Sequence, residues 1–232
     1  MSNTLMGTVI SIKILTSERQ LAKMTPSELI HAVEQADSAE SLLEAVKMLA
    51  ETHSPEAIPS LITVLGYNNP GAAVAAVDGL IAIGEPAVQP LLEQLDGYNY
   101  GARAWAIRAL SSIGDPRGLN VLLEAAGGDF ALSVRRAAAR GLGNIHWQQM
   151  NAQEVPEAQI QAINTLLQAS LDPEWIVRYA AIVGLQGLAK EMKNLQCEYF
   201  DQIIHRLEEM INTDETLAVQ ARAKFAQSCL VQ

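Results

Sequence analysis

Apolar residues recur along the chain at intervals of three and four, as at Val134, Ala137, Ala138, Leu142 and Ile145. That is the period of a helix with one buried face and not the alternation of a half-buried strand. The pattern also repeats in blocks. Ala76-Val77-Asp78-Gly79-Leu80-Ile81-Ala82-Ile83-Gly84-Glu85-Pro86 returns thirty residues later as Ala106-Ile107-Arg108-Ala109-Leu110-Ser111-Ser112-Ile113-Gly114-Asp115-Pro116. A third copy follows thirty-two residues on at Ala138 to Ile145, and a fourth forty-three after that at Ala181 to Leu188. The long last interval predicts an insertion near Gln148 to Glu154, and weaker copies lie at Ala45 to Leu65 and Val219 to Leu230.

The punctuation between blocks predicts helix pairs. In Gly-Glu-Pro and Gly-Asp-Pro, a glycine free to take positive φ ends one helix and a proline sits in the first turn of the next. Thr25-Pro26-Ser27-Glu28 reads as a capping box, and Ser54-Pro55 opens another helix in the same way. Such pairs cannot bury their apolar faces alone, so they stack. The expected fold is all-α, a HEAT-like α-solenoid of about five to six helix pairs over residues 26–232 as a single domain. Residues 1–25 are expected to form an N-terminal arm or cap. A solenoid of this kind has a concave face, the usual binding surface.

A formal charge of -10 works against nucleic acid or an anionic membrane as partner, because phosphates would repel the chain at long range. The apolar stretch Leu5 to Leu15 is too short for a membrane span and contains Lys13. Cys197 and Cys229 lie far from any partner at metal-ligand spacing, a pattern of a reducing compartment, so a cytosolic protein is expected. The four histidines are scattered and none precedes a glutamate, which leaves no metal site to propose. No phosphate loop, nucleophile elbow or Cys/His dyad is present, and Cys197 reads better as a half-buried helix cysteine than as a nucleophile. The catalytic residues are therefore unassigned.

Charge placement is more informative than its sum. An Asp is followed six or seven residues later by an Arg at Asp96 and Arg103, Asp129 and Arg135, and Asp172 and Arg178. One reading is a structural ladder, each Asp capping a helix and each Arg bridging to the neighbouring repeat's Asp. The other is direct ligand contact. Seven of the ten arginines fall between Arg103 and Arg178, and no lysine occurs between Lys47 and Lys190. Arg108, Arg136 and Arg140 lie outside the apolar stripe, with Arg136 and Arg140 one turn apart. They suit either an oxyanion such as a carboxylate or pairing on a solvated helix face. Tyr98, Tyr100, Trp105, Trp147, Trp175 and Tyr179 are bunched in the same region, where Trp105 and Trp175 suit inter-repeat packing or ligand stacking.

At Gly66 to Val74, Tyr98 to Arg103, Gly114 to Arg117 and Asp129 to Ala139 the chain resembles the phycobilisome-lyase class of HEAT-like repeat proteins, over about Leu29 to Trp147. More narrowly it is similar to the F-type (beta) subunits of heterodimeric phycocyanobilin lyases. The resemblance implies a cyanobacterial protein that pairs with an E-type lyase alpha subunit and attaches phycocyanobilin, as substrate and not as cofactor, to a cysteine of the apo-phycocyanin alpha chain. The related lyase-isomerases carry an adjacent His-Cys pair that is missing here, so simple ligation is expected.

An open-chain tetrapyrrole has two propionates, a flat conjugated body and pyrrole nitrogens that welcome a carboxylate. On that chemistry the candidate ligand residues are Arg135, Arg136 and Arg140, with Arg108, for propionates. Tyr98, Tyr100 and Trp105 are candidates for stacking, and Asp78 or Asp129 for the pyrroles. The competing readings are a non-catalytic phycobilisome assembly or degradation adaptor and, against the charge, a HEAT-like DNA glycosylase.

Overall fold

The computed structural model describes residues 24–96, 100–191 and 197–231, apart from the side chains of Asp96, Tyr100 and Cys197. Twelve α-helices and no strand occur among them, matching the expected helix pairs. They fall into two compact units, divided along the chain after Ile83. The division falls inside the span expected as a single domain, at the Gly84 corner, whose like recurs at Gly114. The arm expected over residues 1–25 lies, up to residue 23, outside the described residues.

The first unit holds α1 (Pro26–Glu34), α2 (Ala39–Glu51), α3 (Ile58–Val64) and α4 (Pro70–Ile83). The Thr25 box is closed in both directions: the Glu28 N–H donates to Thr25 Oγ1 at 3.3 Å, and the Thr25 N–H donates to Glu28 Oε2 at 2.7 Å. Ser54 caps the 3-10 turn Pro55–Ala57 that leads into α3. Helix α2 packs on α4 so closely that a Cβ on Gly79 would stand 2.6 Å from the Ala50 Cβ. Val46, Leu49, Leu61 and Leu80 fill the space between these helices.

The second unit holds α5 (Val88–Glu93), α6 (Tyr100–Ile113), α7 (Leu119–Gly128), α8 (Leu132–Leu142), α9 (Val155–Ala169), α10 (Trp175–Glu191), α11 (Cys197–Thr213) and α12 (Leu217–Leu230). Helices α6, α8, α10 and α12 pack side by side as one layer, with α7, α9 and α11 as a second layer against them. Ile107, Leu110, Leu122, Leu142, Ile163, Leu166, Ile182 and Leu185 lie fully buried in this unit. The Gly-Asp-Pro corner behaves as its residues require: Gly114 has φ 73°, Asp115 accepts the Arg117 N–H, and Pro116 starts the next turn. Gly84 does the same with φ 75°. The expected insertion is the 3-10 turn Trp147–Gln149 and the following loop into α9, with Trp147 buried.

The Asp–Arg repeat is an inter-repeat ladder. Arg103 Nε donates to Asp129 Oδ2 at 3.2 Å, Arg135 Nε to Asp172 Oδ2 at 2.7 Å and Arg178 Nε to Asp214 Oδ2 at 2.8 Å. Each aspartate also caps its own corner, Asp129 for the Ala131 N–H, Asp172 for Glu174 and Asp214 for Thr216. Each arginine sends Nη1 back to a carbonyl of its own corner, at Leu95, Asp129 and Asp172. The last rung, Arg178 with Asp214, is the driest, its side chains 9% and 6% exposed. Gln220 stands where the next arginine would and keeps only the carbonyl bond, to Asp214 O at 2.6 Å.

Candidate functional site

The ladder sorts the candidate ligands. Arg135 has Nε and Nη2 on Asp172 and Nη1 on the carbonyls of Asp129 and Phe130, which leaves little of its fork for a propionate. Its bond to Asp172 holds its guanidinium pKa above the ordinary value. Asp129 accepts from Arg103 and from the Ala131 N–H, and its side chain is 5% exposed. The polar atoms of both residues are engaged in the ladder. Asp78 lies in the first unit, exposed, beside a cavity of about 300 Å³ lined also by Lys47, Glu51 and His53. Tyr98 and the side chain of Tyr100 lie outside the described residues, as does that of Cys197.

The remaining candidates face solvent in the second unit. Arg108 is exposed and lies over the ring of half-buried Trp105, 5.5 Å from its centroid. Arg136 and Arg140 are exposed one turn apart on α8. Trp175 and Tyr179 are exposed on α10 and do not fill an inter-repeat core.

Of these, Arg140 borders a groove. The groove has a volume of about 450 Å³ and is walled by the ends of α6 and α8, the middle and end of α10, and α12. Its floor is shallow in side chains because backbones touch there: a Cβ on Gly143 would stand 2.5 Å from the Gly184 carbonyl oxygen and 2.6 Å from the Gly184 Cα. Asn144 Nδ2, on the groove's wall, donates to the carbonyls of Ser111 and Ser112 at 3.2 and 3.1 Å. Among the described residues the charged ones on its walls are Arg140, Lys190 and Arg222, and no carboxylate lines it.

Arg222 is unlike the ladder arginines. Its Nη2 donates to Gln186 Oε1 at 2.5 Å, while Nη1 is buried and has no acceptor among the described residues. The guanidinium lies near two rings, 5.9 Å from the Tyr179 centroid and 5.5 Å from that of Phe225. Burial pushes its pKa down, because a cation loses hydration there without gaining a carboxylate. A buried donor without an acceptor costs ~1–3 kcal/mol. Chemically the groove suits an anion, and the rings of Tyr179 and Phe225, which lie beside Arg222 and not in the groove's own lining, offer flat surfaces for stacking next to it.

Sequence reasoning passed over Arg222 and Lys190. A signal existed for the first. Counting from the ladder positions Arg103, Arg135, Arg178 and Gln220, the residue two further on is Trp105, Ala137, Ala180 and Arg222. A cation thus stands where the other copies have an uncharged residue, but only in the weakest copy of the repeat. Among the described residues no group of three or more His, Cys, Asp or Glu is placed to hold a metal ion, and no single helix is long and apolar enough to cross a membrane.

Known proteins give the frame for this geometry. The HEAT repeats family matches residues 26–100 and 88–186. "Phycocyanin alpha phycocyanobilin lyase CpcF" of Synechocystis sp. is 61% identical over 166 residues, 72% of this chain and 78% of that protein. "Phycocyanobilin lyase subunit beta" of Nostoc sp. is 53% identical over 203 residues, 87% of this chain and 98% of that protein. The solved complex of CpcE and CpcF of phycocyanin lyase from Nostoc sp. contains a chain that superposes with a TM-score of 0.69 at 52% identity, covering 75% of this chain and 99% of that one. With repeats matched over more than half of its length and identity above one half across nearly the whole of a relative, the chain belongs to the HEAT repeats family and, within it, to the phycocyanobilin lyase beta subunits.

Proposed function

We propose that this chain is the beta subunit of a heterodimeric bilin lyase that, with an E-type alpha subunit, attaches phycocyanobilin to a cysteine of the apo-phycocyanin alpha chain in the cyanobacterial cytosol. The observation that carries the reading is the match to 98% of the length of a phycocyanobilin lyase beta subunit at 53% identity. The groove supports it, since a tetrapyrrole with two propionates suits cations with flat rings close by, and the second unit has Arg140, Lys190 and Arg222 at the groove and Tyr179 and Phe225 beside Arg222.

The reaction is an addition. The acceptor thiol adds across the ethylidene double bond of ring A, forming one C–S and one C–H bond, with no oxidant consumed and no leaving group released. The substrate protein brings the nucleophile, so the lyase acts by holding bilin and thiol in register and by shielding the bilin from side reactions. Phycocyanobilin is a substrate in this scheme and no resident cofactor is required.

The test is co-expression of apo-phycocyanin alpha, a phycocyanobilin supply and an E-type subunit, with and without this chain. Covalent, zinc-fluorescent product that survives denaturation is expected only when this chain is present. Equal product in its absence would return the protein to the adaptor reading.

A further inference from the structure

Every other internally paired arginine of the second unit meets a carboxylate: Arg103, Arg135 and Arg178 in the ladder, Arg117 on Asp115 and Glu85, and Arg206 on Glu209. Arg222 is more enclosed than a surface cation, yet its fixed partner is the neutral amide of Gln186, and one of its nitrogens is buried without an acceptor. A folded chain that retains such a group without a counter-charge is set up to receive one. The two other cations at the groove, Arg140 and Lys190, are exposed, so their heads are free to move towards an incoming anion. Tyr179, Val183, Gln186 and Lys190 recur at helical spacing along α10, so the ring, the Arg222 anchor and the lysine share one stripe.

We infer that the groove between α8, α10 and α12 is a carboxylate-binding site, with Arg222 at its wall and Arg140 and Lys190 at its mouth, and that it holds a propionate of the bilin while Tyr179 and Phe225 flank the conjugated rings. The assignment rests on the lyase reading above. A carboxylate has the charge and planar geometry that a guanidinium fork takes in paired hydrogen bonds, and turning Nη1 towards it would satisfy the orphan donor. The same chemistry could be brought by an acidic side chain of a protein partner, and the two sources separate experimentally.

The experiment uses the full chain in complex with its E-type subunit, titrated by absorbance with phycocyanobilin and with its dimethyl ester, in which both carboxylates are neutral. Wild-type complex is expected to bind the free acid more tightly than the ester. R222Q and K190Q are each expected to weaken the free acid by about tenfold, the scale of a lost charge-assisted hydrogen bond, and to leave the ester unchanged. Lys190 is exposed, so K190Q guards against a folding defect in R222Q, and circular dichroism confirms that both fold. Equal binding of acid and ester by wild type, or of the acid by wild type and both variants, overturns the assignment. If the variants instead weaken association with the E-type subunit while bilin affinity is unchanged, the carboxylate is the partner's and the propionate assignment falls. Covalent product formed by the variants at wild-type rate and KM would also sink the site while leaving the lyase reading intact; loss of product dependence on the whole chain would sink the lyase reading itself.

Discussion

Each ladder aspartate accepts from a backbone N–H of its own corner and from the arginine of the preceding repeat, so one carboxylate fixes a helix start and a repeat interface together. Around Asp214 burial pushes the pKa up, but the bonds from Arg178 and the Thr216 N–H outweigh it and the net displacement is downward. Asp115 is lowered chiefly by its bond from Arg117. A depressed folded-state value means that the stabilisation is fully present above the ordinary value of 3.8 and is lost as pH falls through the lower folded one. Urea midpoints measured from about pH 5 to pH 2 should therefore drop, and the drop should be shallower in D214N, which has no charge there to lose. D214A leaves Arg178, 9% exposed, without its carboxylate and should cost ~3 kcal/mol in urea unfolding at neutral pH.

Helices α8 and α10 meet through glycine. A Cβ on Gly184 would fall on the Ala139 carbonyl oxygen and 2.7 Å from a Leu166 methyl, and, where α8 packs on α6, one on Gly141 would stand 2.5 Å from Ser111 Oγ. In an exposed helix, glycine to alanine gains roughly 1 kcal/mol from propensity alone. At Gly184 the sign should reverse, because backbone cannot yield as a flexible side chain does; G184A should cost ~1–3 kcal/mol by thermal or urea unfolding. A stabilised G184A would show that the two helices can part freely. The same contacts explain the groove, since side chains at these crossings would fill it.

A repeat stack is stable through its own units and the interfaces between neighbours. The ladder runs through three interfaces of the second unit, and the Arg135–Asp172 rung sits in the middle. R135A should therefore do more than lower the midpoint of unfolding: it should reduce the slope of ΔG against urea, as the two sides begin to unfold separately. An unchanged slope with a shifted midpoint would mean that the unit stays one cooperative block. On this scale the net charge of -10 also has a role, since the cationic groove lies in an otherwise acidic chain and only a compact anion escapes the wider repulsion.

Much of this was legible from residues in order. Helix period, Gly-Pro corners, the Thr25 box and the Asp–Arg spacing are local chemistry, decided within a turn or two of the chain, and they determined an all-α repeat stack and its ladder. The resemblance carried by the corner segments pointed to the family. The candidate site was legible only in part. Arg108, Arg136 and Arg140 read as exposed, and they are; for Arg135 and Asp129 the spacing left a ladder and a ligand contact side by side, and the bonds to residues 37 and 26 positions away are the ladder's. Nothing local could tell that Arg222 would come to rest against Gln186, 36 positions back, with no carboxylate partner among the described residues. Whether a guanidinium is scaffold or site depends on which acceptors lie across the neighbouring helix, and that is settled by packing between repeats, which the order of residues does not contain.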